Sequence, residues 1–149
     1  MPDAGRPPPQ RPGRSPERGR PALVAVVDDD PFVRAATSSL LRAVGWEARC
    51  FASAEEFLAA GARPRIDCLV CDIHMGQMDG IGLLARLQRD GAAAPTVFIT
   101  ALTSEAVRRR AMAQGALCVI DKPVDAAELE DWVRRALASA GRLRASRRR

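Results

Sequence analysis

The chain has 149 residues, 47% of them apolar and 28% charged, a size and balance that suit one soluble domain with one core. It has no apolar run long enough to cross a bilayer and no apolar signal segment at its start, and its four Cys have no second pair to form a staple, so the reading is a reduced, cytoplasmic protein. The net charge of +5 is uneven: residues 1–21 carry five Arg against Asp3 and Glu17, residues 139–149 carry five Arg and no acid, and the span between is mildly acidic.

In chain order, residues 1–21 are rich in Pro, Arg and Gly with almost no large apolar side chains. Such a stretch cannot bury enough surface to offset its ordering entropy, so it is predicted to be a disordered tail. A solubilising role explains the basic ends more simply than nucleic-acid binding. Ala22–Val27 (ALVAVV) is a continuous apolar run, the pattern of a strand buried on both faces, and it ends in Asp28-Asp29-Asp30. Asp30-Pro31 reads as the cap and first residue of a helix with Phe32, Ala35, Ala36, Leu40, Ala43 and Val44 at helical spacing, stopped by Gly45. Glu47–Phe51 alternates as a second strand, and Ser53 with Glu56 forms a capping box for a short helix to Ala60. Ile66–Cys71 is a third strand that ends at Asp72. Ile81–Asp90 is an amphipathic helix with Leu83, Leu84 and Leu87 on one side. Pro95–Thr100 is a fourth strand, Ser104–Gln114 a helix stopped by Gly115, and Leu117–Ile120 a fifth strand running into Asp121-Lys122-Pro123. Asp125 and Glu128 open a last helix with Leu129, Trp132, Val133, Ala136 and Leu137 inward, followed by a basic tail over 139–149.

Buried strands alternating with helices require right-handed crossovers and a parallel sheet covered on both faces. Residues 22–138 therefore fit an α/β fold, a flavodoxin-like (βα)5 three-layer sandwich with strand order 2-1-3-4-5. In such sheets ligands sit beyond the carboxyl ends of the strands, near the switch between strands 1 and 3. Asp28 and Asp29 end strand 1, Asp72 ends strand 3, Thr100 ends strand 4 and Lys122 follows strand 5. Three carboxylates that close repel unless a cation lies among them. Hard oxygen ligands with room for water point to Mg²⁺, with Mn²⁺ as a substitute. A metal beside a carboxylate, a Lys and a hydroxyl suits phosphoryl chemistry, with the carboxylate as nucleophile. Lys122 stands out further because the other 22 basic residues are Arg.

VVDDDPFVR (Val26–Arg34), CDIHMGQMDG (Cys71–Gly80), FITA (Phe98–Ala101) and IDKP (Ile120–Pro123) are each weak signals. In order, at intervals of 43 (Asp29 to Asp72), 28 (to Thr100) and 22 (to Lys122), they resemble the receiver domain of two-component response regulators, nearest its FixJ-type branch. The resemblance covers residues 22–138. It implies that Asp72 accepts a phosphoryl group from a sensor histidine kinase or phosphotransfer protein. Asp29 would ligate Mg²⁺ directly, Asp28 chiefly through water, and His74 through its backbone carbonyl. Thr100 would bond the phosphoryl group, Lys122 would pair with it, and Pro123 would match the family's cis-proline. The resemblance thus implies a signalling phosphoacceptor rather than an enzyme. Too few residues follow Leu137 for a DNA-binding effector, so the expectation is a stand-alone receiver or a fragment, with a partner or a homodimer on its own surface as output. Two positions depart from the family: Met75-Gly76 replaces its usual Met-Pro, and Val119 stands where it has Phe or Tyr.

Other readings compete. Asp28-Asp29-Asp30 contains DxD after the first strand, which would suit a haloacid-dehalogenase-type phosphatase with Asp28 as nucleophile and Asp30 as acid/base, but this leaves the Asp72 motif without a role. A pseudo-receiver would keep the fold without phosphorylation. Asp30 is simplest as a helix cap, His74 as an exposed loop residue, and Trp46 and Trp132 as packing. Cys68 and Cys71 form a CxxC, yet residues three apart in a strand face opposite sides, which argues against zinc or redox chemistry.

Overall fold

The computed structural model describes residues 20–61 and 66–147. The tail expected over 1–21 therefore lies outside the described residues except for its last two. Five parallel strands, β1 (Leu23–Val27), β2 (Glu47–Phe51), β3 (Cys68–Asp72), β4 (Thr96–Thr100) and β5 (Cys118–Asp121), form one sheet in the order β2-β1-β3-β4-β5. They alternate with α1 (Pro31–Val44), α2 (Ala54–Ala59), α3 (Gly80–Arg89), α4 (Glu105–Ala113) and α5 (Ala126–Arg147). This is the flavodoxin-like three-layer arrangement.

Strand alternation divides the core in two. Val24, Val26, Cys68, Val70, Val97 and Ile99 point to one face and pack with Leu41 of α1 and Leu129, Val133 and Ala136 of α5. Ala25, Val27, Leu69, Cys71 and Phe98 point to the other and pack with Phe57 of α2 and Leu83, Leu84 and Leu87 of α3. Cys68 and Cys71 fall on opposite faces, and burial pushes both thiols well above their ordinary range, so they are inert core residues. Trp46 is buried in the α1/α5 layer, and Trp132 lies half-buried against the same layer.

Each helix start is held by a side-chain cap, worth about 1 kcal/mol apiece. Asp30 accepts from the Phe32 and Val33 N–H groups. Ser53 accepts from Glu56 N–H at 3.0 Å while Glu56 accepts from Ala52 N–H at 2.8 Å, a reciprocal box. Asp79, Ser104 and Asp125 cap α3, α4 and α5 in the same way.

Two elements differ from expectation. The inward face of α1 is Thr37, Ser38 and Leu41, with Val33, Leu40 and Val44 half-buried, whereas Phe32, Ala35, Ala36 and Ala43 are exposed. Of the apolar residues at helical spacing, Leu40 and Val44 pack against the core, while Phe32, Ala35, Ala36 and Ala43 turn outward. The Asp30 cap fixes where α1 starts, and Phe32 in its first turn is exposed among the described residues. The second difference is α5, which continues through Ala138 to Arg147 rather than giving way to a tail at 139.

Candidate functional site

The strand registers bring the polar residues to one edge. Val27 lies beside Cys71, Asp72 beside Ile99, and Thr100 beside Asp121, so the carboxyl ends of β1, β3, β4 and β5 are nearly flush. Asp28, Asp29 and Asp72 offer carboxylate oxygens that all lie within 4.8 Å of one another. Asp28 is fully buried and Asp72 is 4% exposed, while Asp29 faces solvent.

One cation bridges the two buried carboxylates, Asp28 and Asp72. The Lys122 ammonium is 3.0 Å from Asp72 Oδ2 and 3.1 Å from Asp28 Oδ2. It donates a hydrogen bond to Asp72, but its approach to Asp28 Oδ2 leaves that buried oxygen without a well-formed one. Asp28 Oδ1 accepts from Asp30 N–H at 2.9 Å, and Asp72 Oδ1 from His74 N–H at 3.2 Å. Burial holds the Asp28 carboxyl above its usual range, aided by the Asp72 charge, against the opposing pull of the Asp30 N–H and Lys122. For Lys122, burial alone would lower its pKa, but its pairing with Asp72 and Asp28 outweighs this and raises it. A cluster of three hard-oxygen acids, two of them sharing one Lys and one with a buried oxygen that lacks a well-formed hydrogen bond, fits a divalent cation.

Thr100 is fully buried, and its hydroxyl accepts from Leu102 N–H at 3.2 Å. The Lys122 N–H bonds Thr100 O at 2.8 Å, which ties β5 to β4 at the site, and the Lys122–Pro123 peptide is cis. His74 is exposed, with its imidazole Nε2 3.3 Å from Leu102 O. Asp30 stands apart from the carboxylate cluster and caps α1, which removes the acid/base that a dehalogenase would need.

Several residues were not legible as site residues. Gly80 opens α3 against β3: its N–H bonds Ile73 O at 2.8 Å, and a Cβ there would meet Asp72 O at 2.4 Å. Glu55 of α2 accepts from Met78 N–H at 3.1 Å and pins the loop that holds Met75-Gly76. Arg108 of α4 donates to the Val119 carbonyl at 3.0 Å and lies 3.5 Å from Asp121, which also accepts from the Thr103 hydroxyl. The run Arg108-Arg109-Arg110 is visible in the sequence as a mixed surface on α4, but no sequence signal sets Arg108 apart from its two neighbours.

Residues 24–134 match the family model of the response regulator receiver domain. The chain belongs to that family. Response regulator protein TodT of Pseudomonas putida is 32% identical over 127 residues, 85% of this chain and 56% of TodT. Transcriptional regulatory protein TdiR of Thauera aromatica is 32% identical over 120 residues, 80% of this chain and 53% of TdiR. The receiver chain thus spans about half the length of these curated relatives. Among solved structures, response regulator StyR superposes with a TM-score of 0.79 at 37% identity, covering 85% of this chain and 64% of StyR. FixJ-N superposes at 0.72 with 30% identity, covering 80% of this chain and 95% of FixJ-N. A CheY of Borrelia burgdorferi, solved with CheX, BeF₃ and Mg²⁺, superposes at 0.74 with 29% identity, covering 83% of this chain and 95% of that one. Receivers are signalling domains of two-component systems that bind Mg²⁺ at an acidic cluster, and this receiver has such a cluster at Asp28, Asp29 and Asp72. Among the described residues no helix is long and apolar enough to cross a membrane.

Proposed function

We propose that this receiver accepts a phosphoryl group on Asp72 from a sensor histidine kinase or phosphotransfer protein in the cytoplasm, and signals through its own surface. The observation that carries this reading is the buried Asp72 carboxylate, clustered with Asp28 and Asp29 and bonded at 3.0 Å by the chain's one Lys. An Asp72 carboxylate oxygen attacks phosphorus, the P–N bond of the donor phosphohistidine breaks, and its electron pair returns to the imidazole. Lys122 shifts from the carboxylates toward the new phosphoryl oxygens. Thr100 accepts from Leu102 N–H and keeps its own O–H free to donate to the phosphoryl group. Asp29 would hold Mg²⁺ directly and Asp28 chiefly through water, Asp72 and the His74 carbonyl would complete the protein's share, and Mn²⁺ could substitute. The bound metal supplies positive charge against the phosphoryl oxygens. Catalysis goes no further than self-phosphorylation from small donors and self-dephosphorylation.

Acetyl phosphate with Mg²⁺ should add one phosphoryl group by intact mass, and Asp72→Asn should abolish it. A mass shift that survives in Asp72→Asn but disappears in Asp28→Asn would favour the phosphatase reading. No shift in the unaltered chain would favour a pseudo-receiver.

A further inference from the structure

The acidic loop between β1 and α1 is fastened by a residue with no part in the cluster itself. Arg34, half-buried in α1, donates from Nη1 to the Asp28 carbonyl at 2.7 Å, and its backbone N–H bonds Asp30 O at 3.0 Å. Asp28 is already held elsewhere: its N–H bonds Phe51 O at 3.1 Å, and its carboxylate is gripped by Asp30 N–H and Lys122. What Arg34 adds is control of the next peptide. The Asp28 carbonyl belongs to the planar unit that carries the Asp29 N–H and Cα, so fixing the direction of that carbonyl fixes the origin of the Asp29 side chain.

Asp29 depends on this more than its neighbours do. Its carboxylate is exposed and, among the described residues, makes no hydrogen bond or ion pair of its own. Its aim toward Asp28 and Asp72 therefore comes from the backbone. The Arg34 guanidinium meets a carbonyl and forms no ion pair among the described residues, so its charge remains uncompensated near a site that collects cations. Charge and position thus act with opposite sign. As a charge, Arg34 opposes a metal; as a clamp, it assembles the ligands.

We propose that Arg34 is a positioning residue for the cation site, acting through the Asp28–Asp29 peptide to aim the Asp29 carboxylate. The proposal rests on the reading of Asp28 and Asp29 as Mg²⁺ ligands. The test uses the full chain and Mg²⁺ alone, with amide chemical shifts as the readout. Arg34→Met keeps the stem and removes both donor and charge. It should raise the half-saturating Mg²⁺ concentration about tenfold, the scale of losing a group that orients a ligand. Arg34→Lys keeps a charged donor and should recover much of that affinity, and it carries the test alone if Arg34→Met fails to fold. The defect in labelling by acetyl phosphate should be overcome by added Mg²⁺, so that it appears in the metal dependence rather than in the limiting rate. Unchanged or tighter Mg²⁺ binding in Arg34→Met would overturn the proposal, the tighter case showing that charge outweighs position. Absence of Mg²⁺ binding in the unaltered chain would overturn the metal reading itself, and this proposal with it.

Discussion

Asp28 sits where burial and charge conflict. It is fully buried, shares Lys122 with Asp72, and has an oxygen without a well-formed hydrogen bond. Its raised pKa means that the folded protein binds a proton there more readily than the unfolded chain does. In the metal-free protein Asp28 therefore subtracts stability as pH rises from 3.8 through the raised value, and the loss persists at neutral pH. Lys122 works in the ordinary direction for a paired base: its contribution is complete below pH 10.5 and is lost as pH climbs through its raised value. Asp28→Asn removes the costly buried charge while Lys122 keeps its bond to Asp72, and should thus stabilise the metal-free protein at pH 7. Urea unfolding should show the gain shrinking as pH falls through the raised value toward 3.8, by which point the native carboxyl already holds its proton. A destabilised Asp28→Asn at pH 7 would mean that the Lys122 pairing outweighs the burial cost.

Between elements, the tightest constraint is the approach of α3 to β3. Gly80 lets the first turn of α3 lie against the Asp72 carbonyl, with Phe98 Cε1 3.0 Å and Ile73 Cα 3.1 Å from where a Cβ would stand. Two of these three neighbours are backbone atoms, so the clash cannot be relieved by a rotamer change. Gly80→Ala should cost about 2 kcal/mol in urea unfolding, within the usual range for overpacking, and should shift the Asp72 amide by moving the loop. Across the sheet, Val119 has no ring to follow Thr100, while Thr103, Asp121 and Arg108 link the β4–α4 loop to α4. Asp121 is well exposed and Arg108 half-buried, so their pairing at 3.5 Å is worth no more than about 1 kcal/mol and can be released at little cost. BeF₃⁻ with Mg²⁺ should therefore change amide shifts beyond the site, from Thr103 through Met112, and Arg108→Ala should confine them to the loops around Asp28, Asp72 and Lys122. A spread as wide in Arg108→Ala as in the unaltered chain would rule out this link as the carrier.

For the whole molecule, the cation and the fold are thermodynamically linked. The three clustered acids lie at the carboxyl ends of β1 and β3, whose spacing exists only in the folded sheet, so Mg²⁺ held there would favour the native state over the unfolded chain. At a hundred times its dissociation constant, Mg²⁺ should add about 2.7 kcal/mol to stability, and chelation should remove it. Asp29→Ala should reduce this increment more than Asp28→Ala does, as read from melting temperature against Mg²⁺ concentration. Equal increments in both variants and the unaltered chain would place the metal elsewhere.

The fold was legible because four of the five strands are short apolar runs that end at or beside a polar residue, β2 alternates, and each helix carries its own cap. Local pattern alone yields five strand–helix units, and strand-crossover handedness leaves few ways to assemble them. Asp28, Asp29, Asp72, Thr100 and Lys122 could be read together because every one lies at or just past the carboxyl end of a strand. The inward face of α1 was not legible, since Phe32 and the alanines repeat with the same period as the buried residues and only contact with the sheet distinguishes the two. Nor was the reach of α5 to Arg147, because an Arg- and Ala-rich run reads equally well as a solvated tail or as a helix. Arg34, Gly80 and Arg108 acquire meaning only from what lies across from them: a carbonyl on the β1–α1 loop, a carbonyl at the end of β3, and a carbonyl on β5. The sequence by itself determined which groups gather at the sheet edge, because strand ends are written locally. Tertiary structure alone decided which side chains hold that edge in place, because those bonds end on backbone atoms whose position no residue identity encodes.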